Sequence, residues 1–267
     1  MSAVKKYALE KGLKVFTPTN LKDPEFIKAL NQLNPDLQIV VAFRMLPEIV
    51  WDLPPLGSFN LHASLLPQYR GAAPINHAII NGEKETGVTT FFLDRKIDTG
   101  RIILQKKCPI DELEDAGSLH DKLMVLGAKL VIETVQLIEN GEVQPKPQKF
   151  ISTSELKEAP KIFKEDCRIN WNEKSKKIIQ FIRGLSPYPA AWTRIEDNDK
   201  AKSWNCKIYK VIQTDQKSHL LTGKMFSTSM GELFVSTMDN DIQIIELQIE
   251  GKKRMKAADF LRGFVIT

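Results

Sequence analysis

Long apolar runs are missing from this chain. No stretch approaches the length that crosses a bilayer, and the opening Met1-Ser2-Ala3-Val4-Lys5-Lys6 has no apolar core of the kind a secretory signal needs. A membrane-spanning or exported protein is thereby disfavoured, and the cytoplasm is the expected location. Cysteine is scarce: Cys108, Cys167 and Cys206 are odd in number and widely scattered, which argues against a disulfide framework and against a clustered zinc motif, and leaves them as packing residues. Histidine is nearly as rare. His120 sits in a helix start, and His77 and His219 have no nearby acidic or cysteine partner at ligand spacing, so no metal is expected. Charge of one sign is not in large excess either: a net +5 over 267 residues tilts the surface toward polyanions without demanding one. Internal repeats and low-complexity tracts are absent.

What is present is enough for two cores, since 42% of the residues are hydrophobic and the length suits two domains. The first half alternates helical and strand signals, an α/β pattern. Asp23 and Pro24 predict a capped helix start, and the apolar run 37–43 reads as a buried parallel strand. Residues 59–62 and 87–93 read as further strands, 73–80 as a helix, and 101–110 as an edge strand. A long amphipathic helix is expected over 118–138, stopped by Asn140-Gly141. Pro145-Lys146-Pro147-Gln148 and the polar stretch 152–164 have linker character. Then comes a helix over 173–184, with Ile178, Ile179 and Ile182 on one face, and from 207 onward short strands punctuated by Gly223, Gly231 and Gly251 predict a small β-barrel or sandwich. The expected division is an α/β domain over 1–150, a linker and connecting helix over 151–200, and a β-domain over 201–267.

The chemistry concentrates in Phe59-Asn60-Leu61-His62 and in Asp98-Thr99-Gly100. Asn60 and His62 stand two apart on a strand, so the period of two turns an amide and an imidazole to one face. With Asp98 following the strand 88–93, the sequence offers an amide donor, a titratable base and a carboxylate to orient it, the parts that acyl transfer to an amine requires. Taken singly, each residue has a plainer reading: Asn60 satisfying a strand end, Asp98 capping a turn in which Gly100 takes positive φ, Arg70 a solvated cation, and Lys252-Lys253-Arg254-Met255-Lys256 an exposed basic turn.

Asn60-Leu61-His62-Ala63-Ser64-Leu65-Leu66-Pro67, Tyr69-Arg70-Gly71-Ala72-Ala73-Pro74-Ile75 and Ile97-Asp98-Thr99-Gly100 together resemble the signature of the folate-dependent formyltransferases. The resemblance continues through Ala159-Pro160-Lys161-Ile162, Ile169-Asn170-Trp171, Ile182-Arg183-Gly184-Leu185-Ser186-Pro187-Tyr188-Pro189-Ala190-Ala191-Trp192 and Gly251-Lys252-Lys253-Arg254-Met255, nearly the whole chain. It implies a Rossmann-like catalytic domain followed by an OB-like β-barrel. It also implies transfer of the formyl group of 10-formyltetrahydrofolate to the α-amino group of methionine esterified to initiator tRNA, by a monomer without metal. By similarity Asn60, His62 and Asp98 form the catalytic trio: Asn60 donates to the developing oxyanion, His62 takes the amine proton, and Asp98 fixes its tautomer. Ser64, Leu65, Leu66, Pro67, Arg70 and Gly71 border the folate pocket, and Lys252, Lys253, Arg254 and Lys256 contact tRNA. Two alternatives share the motifs: a formyltransferase for a small amine such as a sugar nucleotide, and an inactive RNA-binding relative. The family pattern also places a strand, a Gly-Thr-Pro turn and a second strand ahead of the helix at residues 4–11. At least one βαβ unit is therefore expected to be missing, with the natural start upstream of Met1 because the trio is intact. His77 stands where the family often has Trp.

Overall fold

The computed structural model describes residues 1–42, 45–149, 152, 155–197, 202–264 and 266. Its first part runs α1 (Ala3–Glu10), α2 (Pro24–Asn31), β1 (Gln38–Val41), α3 (Glu48–Trp51), β2 (Ser58–His62), β3 (Arg70–Gly71), α4 (Pro74–Ile80), β4 (Glu85–Phe92), β5 (Ile102–Pro109) and α5 (Ala116–Glu139). Its second part runs β6 (Glu158–Ala159), a single 3-10 turn at Glu165–Cys167, α6 (Ser175–Leu185), β7 (Ala191–Asp197), β8 (Lys202–Gln213), β9 (Met225–Ser227), β10 (Leu233–Val235), β11 (Ile242–Ile249), β12 (Met255–Lys256) and α7 (Ala257–Leu261). None of the described helices is long and apolar enough to cross a membrane.

Local chemistry sets several of these boundaries. The Asp23 carboxylate accepts from the Glu25 and Phe26 amides at 2.8 and 3.3 Å while Pro24 takes the first helical position, where a missing N–H costs nothing. α5 begins at Ala116, two residues before the sequence signal. There the Asp115 carboxylate and the Ser118 hydroxyl bond reciprocally to each other's backbone amides. It ends at Asn140, with Gly141 at φ +69°.

The first sheet has the order β1-β2-β4-β5 among the described residues; β1 is parallel to β2, and the other two pairings are antiparallel. β1 corrects one expectation. It lies parallel to its neighbour as the last strand of the order, yet only Val40 is buried, while Ile39 and Val41, which alternation turns to the opposite face, are 44% and 53% exposed. Phe43, the end of the expected run, lies outside the described residues. Alternation along β2 and β4 divides the sheet's faces. Leu61 fits against Gly127 of α5, where a side chain would have no room, and Thr90 Oγ1 lies 2.8 Å from Thr134 Oγ1 of the same helix. Ile79, Val88, Leu119, Leu123 and Leu130 fill the apolar layer on that side. Asn60, His62 and their cross-strand partners Phe91 and Thr89 therefore point away from α5.

The second sheet is antiparallel, in the order β7-β8-β11-β10-β9 with β12 beside β11, and it curls into a half-barrel. Its core holds α6 through Ile178, Ile182 and Leu185, packed with Ile208, Leu233, Ile242, Ile244, Leu247 and Phe260. Asp239, from the loop before β11, supplies the missing helix cap. Its carboxylate accepts from the Ser175 and Asn240 amides at 2.7 and 2.9 Å. Burial pushes this carboxyl up, but those backbone bonds outweigh it and leave the pKa at about 2. α6 also ties the two sheets together, because Arg183 donates to the Glu114 and Asp111 carbonyls at 2.8 and 3.0 Å and Asn76 donates to the Gly184 carbonyl at 2.7 Å. The three cysteines are free and buried, and burial raises the Cys206 thiol to about 12.

Candidate active site

β2 delivers Asn60 and His62 to the face that α5 leaves open, and the ring of Phe91, the partner of Asn60 on β4, meets the His62 ring edge-on at 6.4 Å. Asn60 is half-buried, and its amide has no hydrogen-bond partner among the described residues. His62 is 7% exposed. Its Nε2–H donates to the Tyr69 carbonyl at 2.8 Å, which leaves Nδ1 as the basic nitrogen. Asp98 Oδ2 stands 3.8 Å from that Nδ1 and accepts from the Gly71 amide at 2.9 Å. The main chain of Tyr69, rather than the Asp98 carboxylate, sets the tautomer. A proton taken up at Nδ1 would leave an imidazolium facing the Asp98 carboxylate.

The turn carrying Asp98 also differs from the simple glycine turn. Asp98 itself takes the left-handed conformation, φ +53°, and Gly100 serves close approach: a side chain there would run into the Phe92 carbonyl. The loop between β2 and α4 is fastened from within. Ser64 donates to the Gln68 carbonyl at 2.6 Å, the Leu66 amide donates to Thr89 Oγ1 at 3.2 Å, and Gln105 donates to the Leu66 carbonyl at 2.9 Å. Ser64 and Leu66 lie inside, while Leu65, Pro67, Arg70 and Gly71 form the half-buried rim.

Tyr69 is held at both ends. Its amide donates to the Lys157 carbonyl at 2.6 Å, and its hydroxyl donates to Glu83, which also pairs with Lys157. Burial and the Glu83 carboxylate push the Tyr69 phenol far above its ordinary range. For Glu83 the balance reverses: burial pushes its carboxyl up, but the hydrogen bonds from Lys157 and Tyr69 outweigh it and hold the pKa below the usual value. β3 pairs with β6 through Arg70↔Glu158 and Gly71↔Ala159, so the segment after α5 clamps the loop. Lys157, and Gln148, whose side-chain amide donates to the Asp98 carbonyl at 2.8 Å, are residues around the site that the sequence did not single out; a backbone carbonyl and a linker amide leave no motif.

The four basic residues lie elsewhere, at the turn from β11 into β12 and α7. Lys252, Lys253 and Lys256 are exposed, whereas Arg254 pairs with Glu246 and lies 4.4 Å over the Tyr209 ring. Arg254 also borders a groove of about 630 Å³ whose other walls include Ile75 and Asn76 of α4, Ser118 and His120 of α5, and Tyr188. His77 bonds to the Pro160 carbonyl at 3.0 Å, and His120 lies exposed beside Asp121.

Residues 1–135 match the family model described as formyl transferase, and residues 161–265 match the formyl transferase C-terminal domain. The chain belongs to the formyl transferase family. It is 51% identical over 265 residues to the methionyl-tRNA formyltransferase of Parabacteroides distasonis, covering 98% of this chain and 82% of that protein. With the methionyl-tRNA formyltransferase of Phocaeicola vulgatus the identity is 54% over 268 residues, with the same coverage. Among solved structures, HypX from Aquifex aeolicus in complex with tetrahydrofolic acid shares the fold at a TM-score of 0.66 and 20% identity, over 88% of this chain and 40% of that one.

Proposed function

We propose that the chain carries the formyl group of 10-formyltetrahydrofolate to the α-amino group of methionine esterified to initiator tRNA, in the cytoplasm, with Asn60, His62 and Asp98 as the catalytic residues. The observation that carries this reading is the open face of β2, where an amide with no hydrogen-bond partner among the described residues stands beside an imidazole whose Nδ1 faces a carboxylate at 3.8 Å. The roughly half-identical methionyl-tRNA formyltransferases give the reaction its acceptor.

The donor supplies a formyl carbon activated by its bond to nitrogen. Asn60 Nδ2 donates to the formyl oxygen as negative charge gathers there. His62 Nδ1 removes a proton from the attacking amine, and Asp98 stabilises the resulting imidazolium. The new bond from acceptor nitrogen to formyl carbon forms, the old bond to the folate nitrogen breaks, and His62 returns the proton to the departing nitrogen. The site ends in its starting charge state. Leu65, Pro67, Arg70 and Gly71, backed by Ser64 and Leu66, border the folate. Lys252, Lys253, Arg254 and Lys256 neutralise tRNA phosphates near the groove that Arg254 shares with α4 and α5.

Labelled formyl donor offered with methionyl initiator tRNA, and in parallel with an amino-sugar nucleotide, tests the assignment. Label is expected on the tRNA alone. Label on the sugar alone would replace the acceptor, and tRNA binding without transfer to either would favour an inactive RNA-binding relative.

A further inference from the structure

We propose that Gln148 is a positioning residue for formyl transfer: it locks the Asp98 turn to the Arg70 loop so that the carboxylate stays against His62. The inference rests on the assignment of Asp98 to the reaction. Asp98 is not gripped by His62 itself, since 3.8 Å is too long for a hydrogen bond, so its place depends on the Gly71 amide that binds its carboxylate and on whatever holds its backbone. That backbone is left-handed, a conformation a non-glycine residue keeps only when its surroundings fix it.

Gln148 supplies the fixing. Its Nε2 donates to the Asp98 carbonyl at 2.8 Å and to the Gly100 carbonyl at 2.9 Å, spanning the turn on both sides of Thr99. Its Oε1 accepts from Arg70 Nε at 3.2 Å and from Arg70 Nη2. Both donors and the acceptor oxygen are engaged, and the reversed amide would set Oε1 against two carbonyl oxygens, so only one orientation serves. The side chain is thus committed to protein contacts, as a positioning group should be. Its own backbone is anchored two residues upstream, where Lys146 and Ile102 exchange both hydrogen bonds at 2.8 Å. A closed circuit results. Arg70 leads to Gly71, whose amide binds the Asp98 carboxylate, and the Asp98 carbonyl returns through Gln148 to Arg70.

The test is a double-mutant cycle on the full chain, assayed for formylation of methionyl-tRNA. Q148A is expected to lower kcat about tenfold or more, as a small misplacement of a catalytic group does, while KM for donor and for tRNA stays within about threefold of the parent. In a D98N background the same change should cost no more than about twofold, because a residue acting through Asp98 has little left to lose. Q148E keeps an acceptor for Arg70 but has no donor for the two carbonyls, and it should be as slow as Q148A; thermal unfolding of each variant separates this loss from unfolding. A folded Q148A at parental kcat, a Q148E at parental kcat, or an additive loss in D98N overturns the inference. Full activity of D98N would overturn the assignment of Asp98 and the inference with it, whereas a slow D98N beside a normal Q148A overturns the inference alone.

Discussion

The two sheets of this protein handle polar side chains in opposite ways. On the first, the face opposite α5 carries His62, Asp98 and the Ser64–Gly71 loop, and each of these is tied to a neighbour through Tyr69, Gly71, Gln105 or Gln148. On the second, the polar groups of interest are Lys252, Lys253 and Lys256 on an exposed turn, with no ion-pair partner among the described residues, over a core built from α6 and β7 to β11. The contrast fits what each proposed task requires. Moving a proton and stabilising a developing charge needs atoms held to fractions of an ångström, so the site is fastened through main-chain contacts. Attracting phosphates needs only cations in the right region, where mobile side chains suffice.

The largest effect that sharpens this contrast is on rate. Asn60→Ala is expected to slow transfer by on the order of 10² to 10³, and Asp98→Asn should also be slow because an amide cannot stabilise an imidazolium as a carboxylate does. tRNA binding should be unchanged in both. Steady-state assays and a filter-binding titration check the pair, and a fast variant would release its residue from the mechanism. A smaller effect should fall on binding alone: replacing Lys252, Lys253 and Lys256 with Gln should weaken tRNA affinity and flatten the log–log salt dependence by about one unit for each phosphate no longer neutralised. An unchanged slope would leave the turn merely solvated.

The smallest effect concerns the second sheet's stability. Asp239→Ala should cost on the order of 1 to 3 kcal/mol, from the usual loss for a helix cap up to what the depressed carboxyl implies. Because the folded carboxyl titrates at about 2 and an unfolded one near ~3.9, the contribution is full above the unfolded value and is lost as pH falls through the folded one. Thermal unfolding between pH 5 and 2, as rough bounds set by those two values, should therefore converge for the parent and the variant at the acid end. A constant gap across that window would assign the effect to packing.

Much of this was legible in the sequence because it is local. The Asp23-Pro24 start of α2, the period of two that turns Asn60 and His62 to one face, and the Asn140-Gly141 stop of α5 each depend on a few neighbouring residues. Interactions made over long separations were not legible. Gln148 reaches Asp98 across 50 residues from a stretch whose two prolines read as a linker, and Tyr69 acts through its carbonyl, which every residue possesses. The apolar run in β1 carries no mark to distinguish a central strand from the last of the order, so neither its place in the sheet nor the exposure of Ile39 and Val41 was legible. The turn at Asp98 was recognisable, but not that Asp98 takes the positive φ while Gly100 serves close approach to the Phe92 carbonyl.

The central claim, that the first sheet performs the chemistry and the second supplies affinity, is tested most directly by single-turnover formylation of methionyl-tRNA at rising enzyme concentration. The parent, His62→Ala and the triple lysine variant would be compared in one series. The account predicts that the lysine variant recovers the parental rate once tRNA is saturated, while His62→Ala stays slow at every concentration. A lysine variant that remains slow at saturation, or a His62→Ala variant rescued by concentration, would contradict it.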